Sequence, residues 1–161
     1  MSLAGYVIAN RPQPLGEMGY AYTYTLASNG LFISASGKYL RATIPVALCD
    51  VRGLLPVEVP MDLSLPQGKI SRRILDGILN HASVPDNIET EHYYAVRWDG
   101  PGERYTLHIP QQEGSGVEVR YSPMPDVVMD IHSHGRMGAF FSSTDDADEQ
   151  SFRLYMVIGR L

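Results

Sequence analysis

The chemistry of this chain is concentrated in Asp130-Ile131-His132-Ser133-His134, followed after seven residues, Gly135 to Phe141, by Ser142-Ser143-Thr144-Asp145. The two histidines lie two apart, directly after the apolar run Val127 to Ile131. Residues i and i+2 of an extended chain point to one side, so His132 and His134 can face a common ion at the strand end. Asp145, in the first turn of the helix that follows, is the candidate third ligand. Two imidazoles and one carboxylate suit Zn²⁺ and leave a fourth position for water. An open position is the catalytic type, because zinc lowers the pKa of its water to about 7. Hydrolysis also needs a general base, to take the water's proton and return it to a leaving amine. It needs a donor for the oxyanion as well. Ser142, three residues before Asp145, is the candidate donor. Glu91, where a helix gives way to a strand, is the candidate base, with Glu89 as the alternative.

These side chains need a scaffold, and the hydrophobic pattern describes one. Ile70, Ile74, Leu75, Ile78, Leu79 and Ala82 recur at helical spacing, so residues 69–82 are predicted to form one amphipathic helix. Gly77 weakens it by about 1 kcal/mol relative to Ala, and Pro85 stops it near Val84. A strand from Glu91 to Trp98 then turns at Asp99-Gly100-Pro101-Gly102 into a partner strand, Arg104 to Ile109. Gly114-Ser115-Gly116 marks a further turn before the alternating strand 117–121, and Val127 to Ile131 has the apolar character of a buried strand. Thr144 to Phe152 reads as a helix with an acidic first turn, and Arg153 to Ile158 as a final strand. The first sixty or so residues are β-rich. Tyr20, Tyr22 and Tyr24 alternate along one strand, and the chain between Pro56 and Pro66 reads as loop or edge strand.

Composition narrows the function classes. With 161 residues, 44% hydrophobic and 19% charged, the chain is a globular protein. It is too short for a (β/α)₈ barrel, which takes roughly 200 residues or more. The net charge of −5 provides no basic stripe for nucleic acid. Four basic and eight acidic residues lie from position 111 onward, so the acidic excess surrounds the histidines. No apolar run approaches the ~18 residues of a membrane helix, and the opening residues lack a signal-peptide pattern. The lone Cys49 excludes an internal disulfide and a four-cysteine zinc site, and it fits a reducing, cytoplasmic setting.

His-x-His, seven residues, Ser, two residues, Asp resembles the signature of the JAMM (MPN+) metalloprotease family, also called Mov34/MPN/PAD-1 or prokaryotic JAB. The resemblance covers roughly residues 69–161. It implies that His132, His134 and Asp145 bind zinc, that Ser142 assists the oxyanion, and that Glu91 activates water. It also implies an α/β fold: a mixed sheet with flanking helices, similar to the cytidine deaminase-like α/β/α sandwich. The expected domains are a β-rich N-terminal extension, 1–65, and a JAMM/MPN-like metalloprotease domain, 66–161. Family domains usually run past the last strand seen here, so truncation at the C-terminal end is expected. Residues 139–146 and the β-rich extension resemble the bacterial plasmid-associated subfamily called PRTRC system protein A. Two positions depart from the family pattern. Gly135 stands where many members have proline, and Tyr94 or Ala95 where members often have glycine.

The expected activity is that of a hydrolase: a zinc-dependent peptidase or isopeptidase acting on a protein or peptide tail, such as that of a ubiquitin-like protein. The competing class is a non-catalytic scaffold or interaction module on the same fold. A metal-dependent hydrolase of small amides is a third. Each site residue also has a plainer reading: a solvent-facing pair for the histidines, a first-turn carboxylate for Asp145, an N-cap for Ser142, and a strand-edge charge for Glu91. His81, His92 and His108 read as ordinary surface or core-edge histidines, Cys49 as a small buried hydrophobe, and the tyrosine stripe as one packed strand face. Phe140 and Phe141 fit either the core or a substrate groove. Other His-x-His folds fail on neighbouring residues. Gly135-Arg136-Met137 lacks the Asp and His of a metallo-β-lactamase, and residues 135–141 lack the Glu of a cupin.

Overall fold

A computed structural model describes residues 2–115, 119–122, 124–142 and 151–161. The chain divides into two compact units, Met1–Gly68 and Lys69–Leu161.

The first unit is one six-stranded sheet, ordered β2-β1-β3-β4-β5-β6. Its strands are β1 (Ala4–Ile8), β2 (Leu15–Glu17), β3 (Tyr22–Ala27), β4 (Gly30–Ser36), β5 (Arg41–Ala47) and β6 (Asp62–Ser64). β1 and β3 run parallel, and the other neighbours are antiparallel. Alternation sorts the side chains. Phe32 and Ala27 are buried with Ala9 against Val57, while Tyr6 and Ile8 remain exposed on the opposite side. Of the tyrosine stripe, Tyr22 and Tyr24 are partly buried and meet edge to face, and only Tyr20 departs from it. Tyr20 precedes β3 and is 80% exposed, and Tyr24 stacks on Tyr6. Between Pro56 and Pro66 the chain supplies the edge strand β6, which pairs only with Arg41–Thr43. Pro45 lies in β5 beyond that pairing, where a missing N–H is tolerated. Cys49 follows β5 in a loop and is exposed, so it is not a buried hydrophobe.

The second unit carries the predicted chemistry. Its helix α1 (Arg72–Ala82) begins two to three residues later than the apolar period suggests, because Ser71 adopts extended geometry and caps it from outside. The helix stops at Ser83, two residues short of Pro85. The main sheet is ordered β12-β11-β7-β8, from β7 (His92–Asp99), β8 (Arg104–His108), β11 (Val127–Ser133) and β12 (Leu154–Ile158). β11 and β12 are parallel and the other pairs antiparallel, so the sheet is mixed as expected. Strand β11 does not end at Ile131. Its ladder with β12 continues through His132↔Val157 and Ser133↔Ile158, which places His132 inside the strand.

One face of this sheet packs under α1. Tyr94, Val96 and Ile131 meet Ile78 and Ala82 there, all fully buried. The other face carries a small hairpin, β9 (Gln112–Gly114) with β10 (Val119–Tyr121). Gly114, predicted as a turn residue, pairs within it. Val119, Tyr121 and Met124 cover Tyr93, Ala95 and Val127. Among the described residues, then, a helix lies on one face and a hairpin on the other. Of the helix predicted over 144–152, only Ser151 and Phe152 are described, and they form bends. No helix among the described residues is long and apolar enough to cross a membrane.

Gly77 tests the helix packing. A Cβ there would meet only Leu107 Cδ2, at an ordinary 3.7 Å. Gly77→Ala is therefore expected to stabilise the second unit by about 0.5–1 kcal/mol, read as a higher urea midpoint at unchanged slope. A lower midpoint would mean that α1 sits closer to β8 than described.

Candidate metal centre

Strand register sets the faces on which the described candidates lie. His132 lies directly opposite Tyr93, and Asp130 opposite Ala95. Opposed residues of an antiparallel pair share a face, so Asp130 and His132 share theirs with Tyr93 and Ala95. One step further, the same alternation sets His134 against Glu91. The His134 amide donates to the Ile158 carbonyl at 2.8 Å, which keeps the chain extended past the end of β11. Glu91 is held one residue before β7 by its own amide, which donates to the Ser115 carbonyl at 2.7 Å. His134 Nε2 and Glu91 Oε1 then stand 3.9 Å apart, with both side chains largely buried. Glu89 takes a different partner: Arg136 Nε donates to it at 2.7 Å on the exposed rim.

His132 is walled by aromatics. Its ring meets Tyr93 at 5.5 Å and 70°, and Tyr121 at 6.2 Å and 72°. Tyr93 and Tyr121 stack in parallel at 3.6 Å. Phe140 meets the His134 ring edge-on at 4.9 Å. Phe140 and Phe141 are half-exposed, so they are not core. Ser142 is partly buried. Asp145 lies outside the described residues. Among the described residues, no three His, Cys, Asp or Glu side chains gather closely enough to hold a metal ion. The donors present fit zinc in kind: two imidazoles on one face of a strand end, one of them buried, with a carboxylate facing it.

The turn after His134 explains one departure from the family pattern. Gly135 has φ +52°, and a Cβ there would collide with the Ile88 carbonyl. Proline, fixed near −65°, cannot adopt that backbone.

Several residues around the site escaped sequence reasoning. Tyr93 donates to one oxygen of Asp130, and Arg153 Nη1 to the other at 3.0 Å. The Gln112 side chain brackets Tyr93, accepting from its amide at 2.7 Å and donating to its carbonyl at 3.2 Å. That amide replaces a strand neighbour where β8 has ended. The available signal was the i, i+2 alternation that puts Asp130 beside His132 and Tyr93 beside Glu91.

On the helix side of the same strands, the Tyr94 hydroxyl and His81 Nδ1 are 3.1 Å apart, and Asn87 donates to the His81 carbonyl at 2.8 Å. His81 and His92 meet edge to face at 5.8 Å. Burial, and then His92, push the His81 pKa down. Burial lifts the Tyr94 phenol to about 12, against a smaller downward pull from Ser133.

The mixed sheet is backed by α1, and its β11 strand carries His132 and leads directly into His134. The family model for prokaryotic homologs of the JAB domain matches residues 82–161, from the last residue of α1 through β12, so this segment is similar to that family. No curated protein matches the chain.

Two measurements check this geometry. A Cβ at Gly114 would collide with the Glu91 carbonyl. Gly114→Ala is therefore expected to cost about 1–3 kcal/mol, seen as a lower urea midpoint, and an unchanged midpoint would place the hairpin farther from Glu91. Tyr94 sets an alkaline limit. A fold that favours the neutral phenol adds stability that is complete below the unfolded pKa near 10. That stability is lost as pH rises through about 12. Absorbance titration should therefore lose a late-ionising phenol in Tyr94→Phe. Loss of one that ionises near 10 would contradict the buried position.

Proposed function

We propose that residues 69–161 form a zinc-dependent peptidase or isopeptidase that hydrolyses an amide bond at the extended tail of a small, ubiquitin-like protein. The observation that carries this reading is the largely buried Glu91 carboxylate, 3.9 Å from His134 Nε2, while Glu89 is engaged by Arg136. That spacing is too long for a direct hydrogen bond and suits two groups that address one small ligand between them. His132, His134 and Asp145 would hold zinc, which supplies Lewis acidity and a nucleophilic water at neutral pH.

The chain's own groups divide the remaining work. Glu91, shielded from bulk water, takes the proton of the attacking water and passes it to the departing amine. Ser142 donates to the oxygen that gains charge as the carbonyl carbon becomes tetrahedral. Phe140 and Phe141 offer apolar contact to the tail beside His134. An extended tail suits an exposed sheet edge, where main-chain hydrogen bonds align it. The flanking α/β/α sandwich and a cytoplasmic setting belong to the same reading. The family also includes non-catalytic members, so the assay must separate loss of chemistry from loss of metal.

Glu91→Gln is expected to retain zinc at wild-type stoichiometry, measured by elemental analysis. It is expected to lose about 10²–10⁴-fold in hydrolysis of a ubiquitin-like protein carrying an amide-linked fluorophore at its tail. Full activity in Glu91→Gln would remove Glu91 as the base. A wild-type protein that neither holds zinc nor cleaves the tail would favour the scaffold reading, and cleavage of small amides alone would reassign the substrate.

A further inference from the structure

The geometry points to Asp130 as the positioning residue of the metal centre, an inference that rests on the zinc reading above. Asp130 lies two residues before His132 on the same face of β11 and is 8% exposed. One carboxylate oxygen accepts from the Tyr93 hydroxyl, the other from Arg153 Nη1 at 3.0 Å. Arg153 is fixed in turn, with its Nη2 3.0 Å from Ser151 Oγ.

Each partner ties Asp130 to a neighbouring element. Tyr93 is two residues after Glu91 and directly opposite His132. Arg153 stands just before β12. A single carboxylate therefore joins the strand that leads into the two imidazoles to the segment bearing the base and to the start of β12.

The energetics favour a geometric role. A buried ion pair is seldom more stabilising than a well-packed apolar residue of similar size. Its hydrogen bonds, however, are directional. The bond from Tyr93 fixes a ring that is already stacked on Tyr121 at 3.6 Å. His132 packs against that ring at 70°. Locking the Tyr93 ring limits the positions open to the imidazole packed against it.

The test uses the full chain, with Asp130→Asn removing the charge at nearly constant shape and Tyr93→Phe removing the phenol alone. Zn²⁺ itself is the probe, measured by competition with a chromophoric chelator. Asp130→Asn is expected to bind it about 10–100-fold more weakly. Tyr93→Phe should show a smaller loss, and the double variant should be no worse than Asp130→Asn, because both changes break one network. The second readout needs no metal. The His132 ring ¹H–¹³C resonances of the metal-free protein sense the Tyr93 and Tyr121 rings and are expected to move or broaden in both variants.

Zinc affinity within twofold of wild type, or His132 resonances unmoved while the melting temperature falls, would overturn the proposal and leave Asp130 a structural residue. If Asp130→Asn fails to fold, Tyr93→Phe decides by the same two criteria. If the wild-type protein takes up no zinc, the metal-centre reading fails separately, and the His132 resonances still decide whether Asp130 orients that ring.

Discussion

The arrangement depends on the register between β7 and β11. In this antiparallel pair His132 faces Tyr93 and Ile131 faces Tyr94. A slip of one residue would send every side chain of a strand to the opposite face. The histidines would then point under α1, and Ile131 would point into the site. The apolar side enforces the register. Ile131, Tyr94 and Val96 are buried together beneath Ile78 and Ala82, and each loses its burial if the strand shifts. The polar side follows: once Met129 and Ile131 of β11 are committed to the core under α1, Asp130, His132 and His134 have only the other face. The candidate site is in this sense a by-product of packing the helix.

That other face poses a different problem, because it gathers polar groups without a described helix to cover it. Three devices deal with this. The β9–β10 hairpin lays Val119 and Tyr121 over Tyr93 and Ala95. The Gln112 amide takes the place of a missing strand along Tyr93, satisfying main-chain groups that burial would otherwise leave costly. Opposite charges are matched in pairs, Asp130 with Arg153 inside and Glu89 with Arg136 at the rim. Glu91 faces the His134 imidazole at 3.9 Å.

What the sequence disclosed follows the range of the interaction. Local periodicity located α1 from Ile70, Ile74, Ile78 and Ala82, and the turn at Asp99-Gly100-Pro101-Gly102 located the β7–β8 hairpin. Periodicity misjudged strand and helix ends where hydrogen bonds, not hydrophobicity, set the limit. β11 continues through polar His132 and Ser133 because β12 pairs with them, and α1 starts late because Ser71 caps it. Glu89 and Glu91 were inseparable by spacing, since both lie on the approach to the strand with the same parity. A partner distant in sequence separates them: Arg136 reaches Glu89, while His134 lies beside Glu91. The Tyr93–Asp130–Arg153 junction was illegible for the same reason, because it joins residues far apart in sequence that only strand order brings together. Cys49 misled because small size and apolar character do not determine burial in a loop.

The turn at Gly135 shows how one constraint can replace another. A proline after the second histidine would stiffen the backbone covalently. Here φ +52° excludes proline, and glycine is the freest residue at that point. Yet the turn is not loose. The His134 amide is bonded to Ile158, the Met137 amide to His134, the Arg160 amide to Met137, and the Leu161 amide to Gly135. Residues 159–161 thus close over the turn as a continuation of the β11–β12 ladder. The flexibility that glycine introduces locally is removed by hydrogen bonds from a neighbouring strand. The second histidine is held from both sides of a residue that by itself would hold nothing.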